Sequence, residues 1–581
     1  MQRKRIGVLV AISLATTILL SGCNTTTGNT TADPTANPTA SPTVDTTVVA
    51  TTEASYADEI DKTQIMTFEI SVDETNWQTM LDNAEDEEYI SADVIINGTT
   101  IKNVGIRPKG NSSLSQVAKD DTTDRFSFKI KFNEYIEGQT WMGLDKIVIN
   151  NMLSDASYMK EYLSYDIMDY IGVKAPLYAF ADISINGETW GLYLAVEDID
   201  SGYLDRVFDG EGELYKPESD SMQMGKQTGD NKQDAENSLD MQKGFNGGGG
   251  GMADSAKNGV SLEYSDDNVL SYSAIFDNAK TDADESDYQR VITALENLSE
   301  GTDLETYVDV DSVLKYFAAH TVVVNLDSYV SNMGHNYYLY ENDGQISILP
   351  WDYNLSFGGF QSNNASDVVN FPIDTPVSGV SLEERPLLGK LLEVPEYLGK
   401  YHEYLQEIMD GYFADGKFEQ TVDTLNNLIS EYVKNDPTAF YTYEEYQAAI
   451  TELKELGVLR AESIQGQLDG TIPSTTEGQE KDSSSLIDAS SIDLTILGNQ
   501  GGGKSGEMPN RDDMGRGNFT MPEGLDMDTI QPAMEIIGDS QSGVLTEEQM
   551  TKLHDLGLTD EQITQLLELP NQGQGNSKPT R

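Results

Sequence analysis

Apolar and polar positions alternate with a period of two along residues 68–72, 92–97, 100–107 and 126–132. That spacing sends successive side chains to opposite faces and predicts strands. In the last run Phe126, Phe128, Ile130 and Phe132 share one face, while Lys129 and Lys131 share the other. Asn186-Gly187 joins two further runs, 178–185 and 189–197, into a hairpin. The period lengthens to that of a helix over 157–171, with Met159, Leu163, Ile167 and Ile171 inward and Gly172 at its end. Asp73 caps a shorter helix that runs to 81. Beyond 284 the helical period dominates, over 284–298, 311–324, 386–392, 395–412, 418–433 and 443–468. One hairpin interrupts it, strands 337–341 and 345–349 about Asn342-Asp343-Gly344. A sheet-rich span, 63–218, followed by a helix-rich span, 260–470, predicts an α+β chain of two lobes.

The other segments are too polar to bury a core. Residues 24–62, mostly Thr, Pro, Ala and Asp, read as a flexible tether, and 219–259 as a low-complexity insertion. Residues 471–545 read as a Gly/Ser-rich linker, and 546–581 as a small helical appendage and tail. Arg3-Lys4-Arg5, the apolar stretch 6–20 and Leu20-Ser21-Gly22-Cys23 predict a lipoprotein signal over 1–23. Cys23 would be lipidated and become the mature N-terminus, with an uncleaved anchor as the competing reading. The expected location is the extracytoplasmic face of the cell membrane, held by lipid alone, because no other stretch is long and apolar enough to span a bilayer.

Charge narrows the partners. Ninety-eight acidic residues against 37 Lys and Arg give −61, which repels nucleic acid and favours basic partners. Cys23 is the sole cysteine, so no disulfide framework supports the fold. His320, His335, His402 and His554 are too scattered for a zinc site.

Residues 102–131 are locally basic: seven Lys and Arg against three Asp, a net of +4. Arg107, Lys109, Gly110, Asn111 and Ser112 form a turn-rich loop there, suited to a triphosphate. The plainer reading is a solvated strand edge whose lysines oppose aggregation. The 337–349 hairpin collects oxygen ligands: Asp327 and Asn336 flank the loop leading in, and Asp352 follows the strand leading out. Hard oxygen donors brought together in this way suit Mg2+ that also holds phosphate. An ordinary hairpin with polar ends is the alternative. Sheet, helix and ligand-bearing hairpin follow in the order of a bilobal protein kinase. In that class a strand lysine contacts the ATP phosphates and pairs with a helix carboxylate. Lys131, or in second place Lys129, is the strand lysine; Glu161 and Asp166 are the helix candidates. Two motifs are set aside. Residues 498–505, G-N-Q-G-G-G-K-S, fit a P-loop pattern, but Gly506-Glu507-Met508-Pro509 opens no helix. Residues 539–548 hint at a calcium loop with the glycine out of register.

R-P-K-G-N-S-S at 107–113, S-F-K-I-K-F at 127–132, the segment 162–176, N-G-E-T-W-G-L-Y-L-A-V-E-D-I-D at 186–200, Tyr215-Lys216-Pro217, and the segments 325–340 and 349–358 follow one another along the chain. In these motifs and their order the chain resembles the spore-coat CotH kinase-like family. The resemblance implies an atypical protein-kinase fold binding ATP and Mg2+. It implies that Asp327 accepts the substrate hydroxyl proton and that Asn336 and Asp352 hold the metal. Lys131 would contact ATP, Asp166 would stand at the position of its paired acid, and Glu197 would meet adenine. Asp166 and Asn354 depart from the family pattern, which usually has Glu and an acid there. No G-x-G-x-x-G is present, so Gly110, Asn111, Ser112 and Ser113 would cover the phosphates. The implied activity is transfer of the ATP γ-phosphoryl group to Ser or Thr of basic, Ser-rich coat or surface proteins. The competing reading is a non-catalytic kinase-like lipoprotein acting as adhesin or scaffold.

Overall fold

The strand Met66–Val72 (β1) buries Met66, Phe68 and Ile70 and turns Thr67, Glu69 and Ser71 to solvent, as its alternation requires. The computed structural model describes residues 55–218, 259–362, 364–498 and 552–554. The signal segment with Cys23, most of the tether, the insertion, and most of the linker and appendage lie outside the described residues.

Six more strands follow: β2 (Ile90–Ile96), β3 (Thr99–Lys109), β4 (Ser127–Lys131), β5 (Lys146–Asn150), β6 (Tyr178–Ile185) and β7 (Glu188–Glu197). They close into a barrel in the order β1-β2-β3-β4-β5-β7-β6. The closing pair is parallel, β1 along β6, with Phe68 opposite Ile183. Phe68, Val94, Ile106, Phe128, Ile149, Ala181 and Tyr193 fill the interior. This closed seven-stranded barrel, followed by a helical region, overturns the expected bilobal kinase-like fold with a sheet N-lobe. Periodicity assigns each side chain a face but no strand a partner. The β1–β6 pairing that closes the sheet joins segments far apart in sequence.

Helices accompany the barrel, among them α1 (Glu74–Asp82), α2 (Ser112–Ala118) and α3 (Lys160–Ile171). The Asp73 side chain accepts from the Thr75 and Asn76 N–H groups, as its capping role requires. Strands β5, β6 and β7 bury their outer face as well. Val148, Phe180, Leu194 and Val196 there join a second core with Leu163, Ile167 and Met168 of α3. Tyr162 stacks on Phe180 with ring centroids 5.0 Å apart. Neither β5 nor α2 was anticipated; five and seven residues give too few periods to read.

The anticipated hairpin forms as β9 (Tyr337–Asn342) and β10 (Gln345–Pro350), with Tyr340 opposite Ser347, and β8 (Glu213–Tyr215) adds the third strand. Helices stand at Glu285–Glu300, Val310–Val323, Pro386–Leu392, Pro395–Ile408, Lys417–Asn435 and Tyr443–Leu468, where the spacing places them. The described residues form one compact unit. A fully buried ion pair, Arg125 to Asp436 at 2.9 Å, ties the barrel to the end of the Lys417–Asn435 helix. Packed sequence extends past both ends of the 63–470 span: Tyr56 and Ile60 enter the barrel core, and Ala489, Ile492 and Leu497 enter the helical core. No helix among the described residues is long and apolar enough to cross a membrane.

Candidate active site

The β9–β10 hairpin brings its two ends together beside the outer face of the barrel. Val324 caps the Val310–Val323 helix in the left-handed region (φ 47°) and turns the chain toward Asp327. The Asn325 side chain accepts the Asp327 N–H at 3.2 Å and donates to the Asp352 carbonyl at 3.3 Å. One amide thus links the start of the hairpin to its exit. Asn336 (φ 56°) and Asp352 (φ 62°) both adopt left-handed backbone, which swings each out of its strand direction.

The side chains meet in one cavity of about 270 Å³. Asn336 Nδ2 donates to Asp327 Oδ2 at 3.0 Å, and His335 Nε2 lies 2.6 Å from Asp327 Oδ1. Asp352 lines the same cavity, half-buried. Its backbone N–H is held by the Tyr165 hydroxyl at 3.2 Å, and that hydroxyl donates to Glu161 Oε1 at 3.2 Å.

The opposite wall is basic and comes from the barrel. Arg107, Lys109, Gly110, Asn111, Ser112, Ser113 and Lys129 all line the cavity. Gly110 (φ 133°) makes the turn from β3 toward α2; a Cβ there would press on the Ser113 hydroxyl and the Leu114 N–H. Lys109 Nζ donates to Asn150 Oδ1 at 3.0 Å, and Asn150 Nδ2 donates to Glu161 Oε2 at 2.9 Å. Burial first, and then the Asp352 carboxylate, push Glu161 up to about 7. Lys129 is paired with Asp198 at 2.8 Å, and burial pulls its ammonium below the ordinary lysine value. Burial opposes ionisation of Asp198, but Lys129 and Lys146 outweigh it and hold the carboxyl down at about 2.

Three of the predicted site residues sit elsewhere. Lys131 pairs with Glu134 at 2.7 Å and does not line the cavity. Asp166 accepts from Lys62 at 2.7 Å, Tyr178 at 3.1 Å and Tyr412 at 2.7 Å. Glu197 is fully buried and takes Tyr56, Arg206 and the Leu177 N–H. Five residues separate Glu161 from Asp166, about 140° around a helix, so only one of them can face the cavity. That one is Glu161. Asn150, Asp198, Lys216, His335 and Trp351 line the cavity without having been singled out for it. His335 and Trp351 were legible as the neighbours of Asn336 and Asp352; Asn150, Asp198 and Lys216 arrive from strands and loops whose partners the sequence does not reveal.

Among the described residues, no group of three or more His, Cys, Asp or Glu side chains stands ready to hold a metal. A site completed by phosphate oxygens and water needs fewer, and the donors here are hard: Asp327, Asn336 and Asp352. Among the described residues no donor or cation contacts the Asp352 carboxylate, whose charge Glu161 already feels. A divalent cation would supply that missing partner, and in this respect the residues fit one.

Comparison with known sequences places the chain. A family model described as "CotH kinase protein" matches residues 106–464, more than half of the chain. The chain is also 24% identical over 314 residues to Inner spore coat protein H of Bacillus subtilis (strain 168), covering 52% of this chain and 73% of that one. The protein belongs to the CotH kinase family. The matched span runs from β3 to the Tyr443–Leu468 helix, and of the cavity-lining residues only Glu87 falls outside it.

Proposed function

We propose that the protein is an extracytoplasmic CotH-type kinase that transfers the γ-phosphoryl group of ATP to Ser or Thr hydroxyls of a basic protein. The observation that carries this reading is the convergence of Asp327, Asn336 and Asp352 with a basic wall on one cavity, in a chain of net charge −61. Arg107, Lys109 and Lys129, with the 110–113 turn, would hold the triphosphate. Of the strand lysines, Lys129 takes the place expected of Lys131, and Glu161 that expected of Asp166. Asp327, oriented by His335 and Asn336, would accept the proton of the attacking hydroxyl. Asn336 and Asp352 would hold Mg2+, which when bound neutralises charge on the phosphate oxygens. The acidic surface would recruit basic substrates, and Cys23 would supply a lipid anchor. The name of the spore-coat relative supports a coat or envelope setting.

The test is transfer from γ-labelled ATP to a basic, Ser-rich protein, with and without Mg2+, by wild type and Asp352→Ala. Loss of the metal ligand lowers transfer on the order of 10²–10³-fold, as removal of one charge-stabilising group does elsewhere, while cooperative melting persists. Undiminished transfer by Asp352→Ala overturns the assignment. A second reading, a non-catalytic adhesin or scaffold, is favoured by the net charge itself, which repels ATP as well as other anions. Under that reading Mg2+ and ATP together produce no shift in the melting temperature.

A further inference from the structure

Asp327 and Asp352 enter the cavity from opposite ends of the β9–β10 hairpin, so their spacing depends on what fastens those ends together. One fastener is the Asn325 amide already described. A second lies deeper. His320, on the Val310–Val323 helix, is 2% exposed. Its Nε2 is 3.1 Å from the Ser328 hydroxyl and its Nδ1 is 2.8 Å from the Tyr353 hydroxyl. Ser328 follows Asp327 directly, and Tyr353 follows Asp352 directly. The proton assignments are set by the neighbours. Ser328 Oγ donates to the Asn325 carbonyl at 2.7 Å, and the imidazole itself hydrogen-bonds the Asn325 backbone, so on this side the ring donates, to Ser328 Oγ through Nε2–H. Nδ1 is then the acceptor for the Tyr353 O–H at 2.8 Å, a closer partner than the Tyr316 hydroxyl at 3.4 Å that competes for the same proton. Only a neutral imidazole can donate on one side and accept on the other. Burial drives His320 down to about 4, which keeps the ring neutral at ordinary pH.

A buried polar bridge of this kind is costly unless both ends are satisfied, and a phenyl ring would fill the volume without that demand. We infer that His320 is a positioning residue: through Ser328 and Tyr353 its imidazole clamps the two ends of the hairpin and sets the separation of Asp327 from Asp352. The inference rests on the phosphotransfer reading for its catalytic consequence, but the clamp also governs binding of Mg2+·ATP.

The experiment uses the full chain and measures Mg2+·ATP binding by calorimetry alongside transfer to a basic protein. His320→Phe removes both hydrogen bonds. It lowers kcat and weakens Mg2+·ATP binding on the order of 10–100-fold, the range for residues that orient a metal ligand, and leaves KM for the protein substrate within about twofold. His320→Gln, which can still donate to Ser328, and His320→Asn, which can still accept from Tyr353, recover part of the loss. Adding Tyr353→Phe to His320→Phe costs little more, because that bond is already gone. The inference is overturned if His320→Phe binds and transfers like wild type. It is also overturned if the losses match the fraction unfolded and add in full to those of Tyr353→Phe. Should wild type bind Mg2+·ATP but transfer nothing, the phosphotransfer reading falls, and the binding comparison alone decides the clamp.

Discussion

Lys160 shows how much a single buried charge can govern. Its side chain is 0% exposed, yet it donates to the Ser154 carbonyl at 3.1 Å and the Gly498 carbonyl at 2.8 Å. Burial lowers its ammonium from the usual 10.5 to about 8, with Asp155 only partly opposing. Between about pH 8 and 10.5 the unfolded chain keeps the proton and the folded chain has released it. The stability deficit is therefore complete below pH 8 and relieved as pH rises through that window. Its size is at most about 3 kcal/mol. Chemical denaturation of wild type and Lys160→Met at pH 7.5, 8.5 and 9.5 should give curves that diverge, with only the wild type gaining stability from this source. Parallel curves would refute the assignment. At this scale the sequence separates residue types well and neighbours poorly. Lys129 and Lys131 share the outer face of β4, and alternation cannot rank them. The register does: Lys129 sits opposite Arg107 on one side and Val148 on the other, whereas Lys131 sits opposite Gly105 and Lys146, farther along the barrel.

Among the elements, the hairpin and the long helices follow from local signals, while the barrel depends on a contact between distant strands. The junction of barrel and helices rests on Arg125. Its guanidinium bonds the Asp436 carboxylate, the Asn151 and Leu192 carbonyls and the Thr438 hydroxyl. Gly191 (φ 154°) leaves the space for this, since a Cβ there would collide with both Arg125 and Asp436. Arg125→Met strands a buried carboxylate and should cost about 3–5 kcal/mol in urea unfolding. Arg125→Met/Asp436→Leu should recover much of that, because no charge is then left unpaired. A single substitution costing under about 1 kcal/mol would show that the pair does not hold the junction.

For the whole molecule, residues 471–498 open the span 471–545 that composition marks as a Gly/Ser-rich linker, yet they cover the helical core. Ile472, Ala489, Ile492 and Leu497 are buried, and the Leu497 carbonyl accepts the Ala156 N–H at 3.1 Å. Each large apolar side chain removed from such a site forfeits roughly 1.5–3 kcal/mol. A chain ending at 470 should therefore unfold at a clearly lower urea concentration than one ending at 498. Equal midpoints would mean that this segment merely lies on the surface. The same residues explain why the boundary was illegible: the four buried apolar side chains are unevenly spaced over a polar stretch and carry no period, and only their packing distinguishes them from a linker.

The sequence alone determined the strands and helices with sustained periodicity, the acidic balance, and the trio of Asp327, Asn336 and Asp352, because a two-stranded hairpin is a local device whose ends must meet. Tertiary structure decided the rest. It closed the sheet by pairing β1 with β6, chose Glu161 over Asp166 and Lys129 over Lys131 for the cavity, and set His320 between the neighbours of the two aspartates. Those choices depend on which distant surfaces touch, and a one-dimensional pattern records which face a residue takes but not what it faces.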